Sequence, residues 1–222
     1  MAEDRAKRRV AILISGRGSN MTALIEAAAA KNFPAEIVLV LSNIADAGGL
    51  AKARDAGIAT ATVESKPFGK DREAFERALN DKLVEAKIDL VCLAGFMRLL
   101  TPWFVTQWDG RMLNIHPALL PSYKGLDTHA RALKDGVKIH GATVHFVVPE
   151  MDSGPIVMQG AVSVRDSDTA ETLAKRVLAV EHQIYPDALR IVAGGDFTIE
   201  DGRCKTKSQG SAESTLIAPV VI

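Results

Sequence analysis

Between Val10 and Ala94 the chain switches repeatedly between two hydrophobic periods, and that alternation restricts the fold more than any other feature. Residues 10–14, 37–41 and 90–94 are short unbroken apolar runs, the pattern of strands buried on both faces. Helical stretches separate them: the alanine-rich residues 21–31, residues 50–56 with Gly57 as the expected cap, and residues 71–87, where Ala74, Phe75, Ala78, Leu79 and Leu83 share a face. Residues 58–63 read as a weaker strand. Strands that alternate with helices require right-handed crossovers. The expected fold is therefore α/β: a Rossmann-like, mostly parallel twisted sheet with helices on both faces.

The second half predicts an antiparallel C-terminal part. Residues 112–115 form a strand candidate that ends in Asn114-Ile115-His116-Pro117, and residues 128–134 a helix that ends at Gly136. Residues 141–148 set Thr143 and His145 against Val144 and Phe146, a strand with two unlike faces, and residues 156–164 are its expected partner. A long helix is expected over residues 169–192, capped by Ser167 or Asp168 and kinked or divided at Pro186. Residues 197–205 predict a small hairpin turning at Asp201 and Gly202. No repeat or low-complexity linker interrupts the chain. Residues 1–222 thus read as a single domain, with residues 1–9 a polar stub and about 207–222 a tail.

Composition narrows the function classes. The chain is 47% hydrophobic and 24% charged, as globular chains are. Its 27 basic residues balance 27 acidic ones, so it lacks the basic excess that nucleic acid or an anionic membrane surface demands. No stretch approaches the ~20 apolar residues of a membrane span, and the N-terminus has no signal peptide. Cys92, inside an apolar run, and Cys204 make no disulfide framework. A cytoplasmic protein with a buried, inert thiol is expected.

Two segments carry candidate chemistry. Ser15-Gly16-Arg17-Gly18-Ser19-Asn20 follows the first strand and opens the first helix, where uncapped N–H groups favour an anion. It lacks the Gly-Lys-Ser/Thr ending of a Walker loop. Met21 stands at the third glycine position of a dinucleotide fingerprint, and Ser42-Asn43 replaces the acid that would hold a ribose. A monophosphate site is the expectation. The second segment, residues 113–159, holds His116 at a strand end and Asp152 before Ser153-Gly154-Pro155. A carboxylate beside His116 favours its charged form and makes it a useful proton donor. His145 reads equally well as a buried structural ring or a site residue, His129 as helix surface or a neighbour, His140 as a surface turn, and His182 as structural. No zinc-ligand spacing, Gly-x-Ser-x-Gly elbow or activated cysteine is present, so no metal and no covalent nucleophile are expected.

Asn114-Ile115-His116-Pro117 with the following Leu-Leu-Pro-Ser-Tyr-Lys-Gly, His-Gly-Ala-Thr-Val-His-Phe-Val, and Met151-Asp152-Ser153-Gly154-Pro155-Ile156 together resemble the folate-dependent formyltransferases. The Ser-Gly-Arg-Gly-Ser-Asn loop and Leu93-Ala94-Gly95-Phe96-Met97-Arg98 are similar to the branch of that family acting on 5′-phosphoribosylglycinamide in purine synthesis. The resemblance runs from about Val10 to Asp196. It implies transfer of a formyl group from 10-formyltetrahydrofolate, the co-substrate, to the glycinamide amine. Asn114 and His116 would stabilise a tetrahedral oxyanion, with Asp152 tuning His116. Gly18, Ser19, Asn20 and Glu181 would hold the phosphorylated ribose. Folate would lie against Met97, Arg98, Leu99, Leu100, Asn114, Val148, Pro149, Glu150, Met151 and Asp152, with Arg72 toward its charged end. Asp127 and Leu178 replace a histidine and a glutamine found in some relatives, which touches peripheral substrate contacts. The partners implied are small molecules, with a homodimer left open.

Two rivals share motifs with this reading. A methionyl-tRNA formyltransferase usually adds a basic C-terminal domain, and a formyltetrahydrofolate hydrolase an N-terminal regulatory one; neither is expected from the chain's length. A non-catalytic nucleotide-binding module would keep the glycine loop but has no use for Asn114, His116 and Asp152 together.

Overall fold

The computed structural model describes residues 6–207 and Ala218. Seven strands form one sheet in the order β3-β2-β1-β4-β5-β6-β7: β1 Arg8–Ile14, β2 Ala35–Ser42, β3 Ala59–Thr62, β4 Leu90–Leu93, β5 Met112–His116, β6 Ile139–Phe146 and β7 Ile156–Ser163. The pairs from β3 to β5 are parallel, while β5–β6 and β6–β7 are antiparallel. A separate hairpin, β8 Phe197–Glu200 with β9 Arg203–Thr206, turns at Asp201 and Gly202 as expected.

Alternation along β1 places successive side chains on opposite faces. Val10, Ile12 and Ile14 pack with Met21 and Leu24 of α1 (Ser19–Ala28), Leu50 and Ala53 of α2 (Gly48–Asp55), and Tyr185 and Leu189 of α6 (Ala170–Gly194). Ala11 and Leu13 pack with Phe75, Leu79 and Leu83 of α3 (Arg72–Glu85) and Phe104 and Val105 of α4 (Pro102–Gln107). Both faces are covered, as the apolar runs require. Helix α5, Thr128–Lys134, matches its expected limits. No helix among the described residues is long and apolar enough to cross a membrane.

Several expectations are corrected by tertiary contacts. β1 begins two residues before the apolar run: Arg9 N–H donates to Asp89 Oδ2 (2.8 Å), and its guanidinium reaches Ala86 O and Glu36, so Arg8 and Arg9 belong to the strand rather than a stub. Helix α1 starts at Ser19 because Gly18 supplies a left-handed turn (φ 68°) before it, and it ends at Ala28 rather than residue 31. The α2 cap is Ala56, with Gly57 just beyond it at φ 74°. Short α4 was not expected; it is too brief to show a helical period. The α6 cap is Thr169, in a reciprocal capping box with Thr172. Asp168 instead binds Arg176, Arg165 N–H and the Thr172 hydroxyl. Pro186 does not divide α6, because Ile184, Tyr185, Pro186, Ala188 and Leu189 are all buried, and that packing outweighs the roughly 3 kcal/mol a helical proline costs. The two unlike faces of β6 are both buried: Ala142, Val144 and Phe146 pack with α6, and Thr143 on the other face meets Ala118 and Leu120. His140 therefore lies inside the strand, 1% exposed, rather than on a surface turn.

Burial pushes the Cys92 thiol up to about 12, consistent with an inert core residue. Beside it the fully buried Tyr185 hydroxyl lies within hydrogen-bond distance of Leu93 O (3.0 Å) and Leu113 O (3.2 Å), and so bridges the carboxyl end of β4 and the start of β5. The chain leaves β1 in one direction to β2 and returns on the other side to β4. That reversal opens a crevice beyond the carboxyl ends of β1 and β4, the place where such sheets bind ligands.

Candidate active site

On the parallel side the crevice is built mainly from backbone. Gly18 precedes α1 with φ 68°, and a side chain there would press on Met21 Cε at 3.0 Å and Gly49 Cα at 3.1 Å. No side chain caps the first turn of α1 and no acid lies in it, an arrangement suited to an anion. Asn20, 8% exposed, donates from Nδ2 to Glu181 Oε2 at 2.6 Å. Its Oδ1 is buried without a partner, an acceptor left for a ligand hydroxyl. Burial raises the Glu181 carboxyl, while the Asn20 hydrogen bond and the charges of His182 and His116 act against that rise. Glu181 is thus within electrostatic reach of the second half of the site.

That half is built from side chains on the antiparallel strands. The β5–β6 register sets Asn114 opposite His145 and His116 opposite Thr143. His145 Nδ1 lies 2.8 Å from Phe146 O, which places its hydrogen there and leaves Nε2 to accept from Asn114 Nδ2 at 3.2 Å. Burial pushes the His145 ring down and outweighs the opposing charge of Asp152, so it is neutral. Asp152, between β6 and β7 with φ 50°, accepts Gly125 N–H on Oδ2 at 2.8 Å. The same oxygen lies 3.4 Å from His116 Nδ1, and Oδ1 lies 3.8 Å from His145 Nε2. His116 Nε2 donates to Tyr123 O at 2.9 Å, and the residue is only 5% exposed.

The loop that supplies Tyr123 and Gly125 is fastened from below. Thr143 Oγ1 donates to Ala118 O (2.6 Å) and accepts from Leu120 N–H (3.0 Å) and Gln159 Nε2 (2.9 Å), while Gln159 also reaches Leu120 O. Lys124 Nζ donates to Ser153 Oγ at 2.6 Å, a second link between this loop and the one carrying Asp152. His145, Thr143 and Gln159 are contributors that sequence reading left undecided or did not name. Only the strand register, which local patterning does not reveal, places them.

The expected folate surface forms the mouth of the crevice. Met97, Leu99 and Met151 are exposed, Pro149 and Glu150 are exposed beside them, Val148 is partly covered, and Leu100 is buried. Arg72 donates to Leu99 O rather than standing free, and the Arg98 guanidinium lies 5.8 Å over the Phe75 ring. Buried Glu76 accepts Thr101 N–H (2.8 Å) and the Thr101 hydroxyl, fixing the far end of the loop. Asp127 adopts φ 55° before α5 without capping it, and Leu178 is half-buried on α6.

Behind His116 sits a second group of rings. His129 and His140 pack edge to face at 5.3 Å, and Tyr123 meets His140 at 5.8 Å. Burial carries His140 down to about 4, helped by the charges of His129 and His116, and it lowers His129 as well. Among the described residues no three or more His, Cys, Asp or Glu side chains gather as a metal site.

The sequence pattern of the formyl transferase family matches residues 8–189. The chain is 50% identical over 198 residues to the trifunctional purine biosynthetic protein adenosine-3 of Bos taurus, covering 89% of this chain and 20% of that protein. It thus spans about a fifth of the length of such trifunctional relatives. It is 46% identical over 186 residues to the phosphoribosylglycinamide formyltransferase of Escherichia coli K12, covering 84% of this chain and 87% of that one. The crystal structure of glycinamide ribonucleotide transformylase 1 from Symbiobacterium toebii superposes with a TM-score of 0.87 at 43% identity, covering 90% of this chain and 94% of that one.

Proposed function

The chain belongs to the formyl transferase family, and from that premise we propose that it moves a formyl group from 10-formyltetrahydrofolate to the amine of 5′-phosphoribosylglycinamide. The amine nitrogen bonds to the formyl carbon, the carbon–nitrogen bond to folate breaks, and the proton the amine loses is returned to the folate nitrogen. The products are the formylated glycinamide and tetrahydrofolate.

The observation that carries this reading is the trio at the end of β5. Negative charge develops on the formyl oxygen as the amine attacks, and preorganised donors stabilise it. Asn114 Nδ2 has two hydrogens; one is directed to His145 Nε2, so the other is aimed and available. His116 is the second donor of the reading: its Nε2–H is held by Tyr123 O and its Nδ1 faces Asp152 at 3.4 Å. It serves the oxyanion by exchanging the Tyr123 contact when substrate arrives, with Asp152 giving a mobile proton a place to reside. Asp152 is itself oriented by Gly125 N–H. Because two bound substrates react with each other, positioning does much of the work and no enzyme nucleophile is needed.

The nucleotide half follows from the other side of the crevice. The uncapped start of α1 suits the phosphate, and Glu181 with the unpartnered Asn20 Oδ1 suits ribose hydroxyls. The exposed apolar rim of Met97, Leu99 and Met151 suits the flat folate ring. The folate ends of the site are open to solvent, as a co-substrate that must leave each cycle requires.

The deciding experiment mixes the purified full chain with both substrates and follows tetrahydrofolate release and the formylated nucleotide together. Equal rates of the two are expected. Donor hydrolysis that needs no nucleotide would instead assign the chain to deformylation, and nucleotide binding without turnover would leave only a binding module.

A further inference from the structure

Asn43 stands at the carboxyl end of β2, the place where a dinucleotide-binding sheet carries its ribose-binding acid, and formyl transfer gives it no task. It is buried, and its Oδ1 accepts the hydroxyl hydrogen of Ser15 at 2.6 Å. The Ser15 hydroxyl, also buried, accepts Met97 N–H at 2.8 Å. Ser15 N–H donates to Gly95 O (3.1 Å) alongside. One hydrogen-bonded chain, Asn43 to Ser15 to Met97, therefore joins the segments that follow β2, β1 and β4.

Its polarity is fully determined. A backbone N–H can only donate, so Ser15 must accept from Met97 and use its single hydrogen on Asn43. An aspartate at position 43 would accept as well, but at the cost of a buried charge; the amide accepts without one. In the loop that this chain holds, Phe96 and Leu100 pack against the core on either side, but the tip between them gains little from apolar packing, since Met97 is 70% exposed and Leu99 64%. Its shape rests on polar tethers: Ser15 at the start, Arg72 on Leu99 O in the middle, and Glu76 on Thr101 at the end.

We propose that Ser15 is a positioning residue for the folate donor, holding the Met97–Leu100 rim from the nucleotide side of the crevice, with Asn43 as its anchor. The proposal rests on the reading of that rim as the folate surface. It gives a residue of the glycine loop an effect on the opposite substrate, which proximity to the phosphate site alone does not suggest.

The test uses the full chain with Ser15→Ala, Asn43→Ala, the double variant and Ser15→Thr, which keeps the hydroxyl. Loss of a buried hydrogen-bond pair predicts that Ser15→Ala raises the donor KM about tenfold, with kcat and the nucleotide KM each within about threefold. Affinity for a non-reactive folate analogue should fall by about the same factor. Asn43→Ala should show a smaller loss, Ser15→Thr should restore donor binding, and the double variant should be no worse than Ser15→Ala, because residues in one chain are not additive. Additive losses, an unchanged donor KM, or a rise confined to the nucleotide KM would each overturn the proposal. If Ser15→Ala does not fold, Asn43→Ala alone decides between these outcomes by the same KM comparison. Wild-type protein that binds no folate analogue at all would defeat the reading of the rim instead, and binding that is equal in wild type and both single variants would defeat the positioning role.

Discussion

The two sides of the crevice reach precision by different means. On the parallel side, β1 and α1 present main-chain groups, and the fold itself sets them once Gly18 turns the chain and Gly49 allows α2 to approach. On the antiparallel side, Asn114, His116 and Asp152 are side chains, and each needs a partner to aim it: His145, Tyr123 O and Gly125 N–H. Binding an anion tolerates the broad field of a helix terminus. Stabilising a developing oxyanion does not, since its donors must already point at one position. The side of the site proposed to do the chemistry is therefore the side with the denser hydrogen-bond support.

That contrast can be broken most forcefully at the trio. His116→Ala and Asp152→Asn are each expected to lower kcat by about two orders of magnitude or more with little change in either KM, as steady-state kinetics would show. Near-native turnover would place the chemistry elsewhere. Stability should divide the same way. A Cβ at Gly154 would lie 1.8 Å from Phe146 O, a backbone atom, whereas one at Gly49 would meet the end of the Ile14 side chain at 2.5 Å. Gly154→Ala should thus cost about 3 kcal/mol and Gly49→Ala about 1–2 kcal/mol in urea unfolding. A reversed order would mean that the loop before β7 yields more easily than the helix contact.

Acid should also find the antiparallel side first. Burial holds His140 neutral in the fold, at about 4 against an ordinary 6.5. Below pH 6.5 the unfolded chain takes up a proton that the native ring refuses, so stability is lost as pH falls toward 4 and this group contributes no further loss below that. The loss should be about 3 kcal/mol. His140→Phe, which keeps the ring contacts with His129 and Tyr123, should flatten this limb of the pH–stability curve, though not abolish it, because His129 and His145 are lowered too. The smallest expected effect returns to the parallel side: Asn20→Ala should raise the nucleotide KM about tenfold while kcat changes little. A selective loss of folate binding there would exchange the two half-sites.

The same division explains what could be read in advance. The central parallel strands were legible as unbroken apolar runs and helices α1 to α3 by their periodic faces, while six-residue α4 is too short to declare one; the hairpin at Asp201-Gly202 was legible from its turn residues. His140 was misplaced because Gly141 suggests a turn, while the pairing with β7 that buries it is a long-range fact. Pro186 reads as a break until Tyr185 and Leu189 are seen packed in the core around it. His116 and Asp152 stand out by their places at a strand end and before a Gly-Pro step, Asn114 by motif resemblance, and the structure sets Asp152 between His116 and the His145 that Asn114 meets. The supports could not be found that way. Thr143 and His145 look alike in an alternating strand, and only register shows that one fastens a loop and the other aims an amide.

Asp152 holds its carboxylate with a left-handed backbone (φ 50°), a conformation that costs a non-glycine residue roughly 1 kcal/mol. Glycine at that position would relax the turn and delete the carboxylate in one step. A library of this chain screened for heat resistance alone would therefore set that relief against the hydrogen bond the carboxylate accepts from Gly125 N–H, and would be blind to the proposed chemistry. Only a screen that scores turnover alongside survival would test the aspartate for that chemistry.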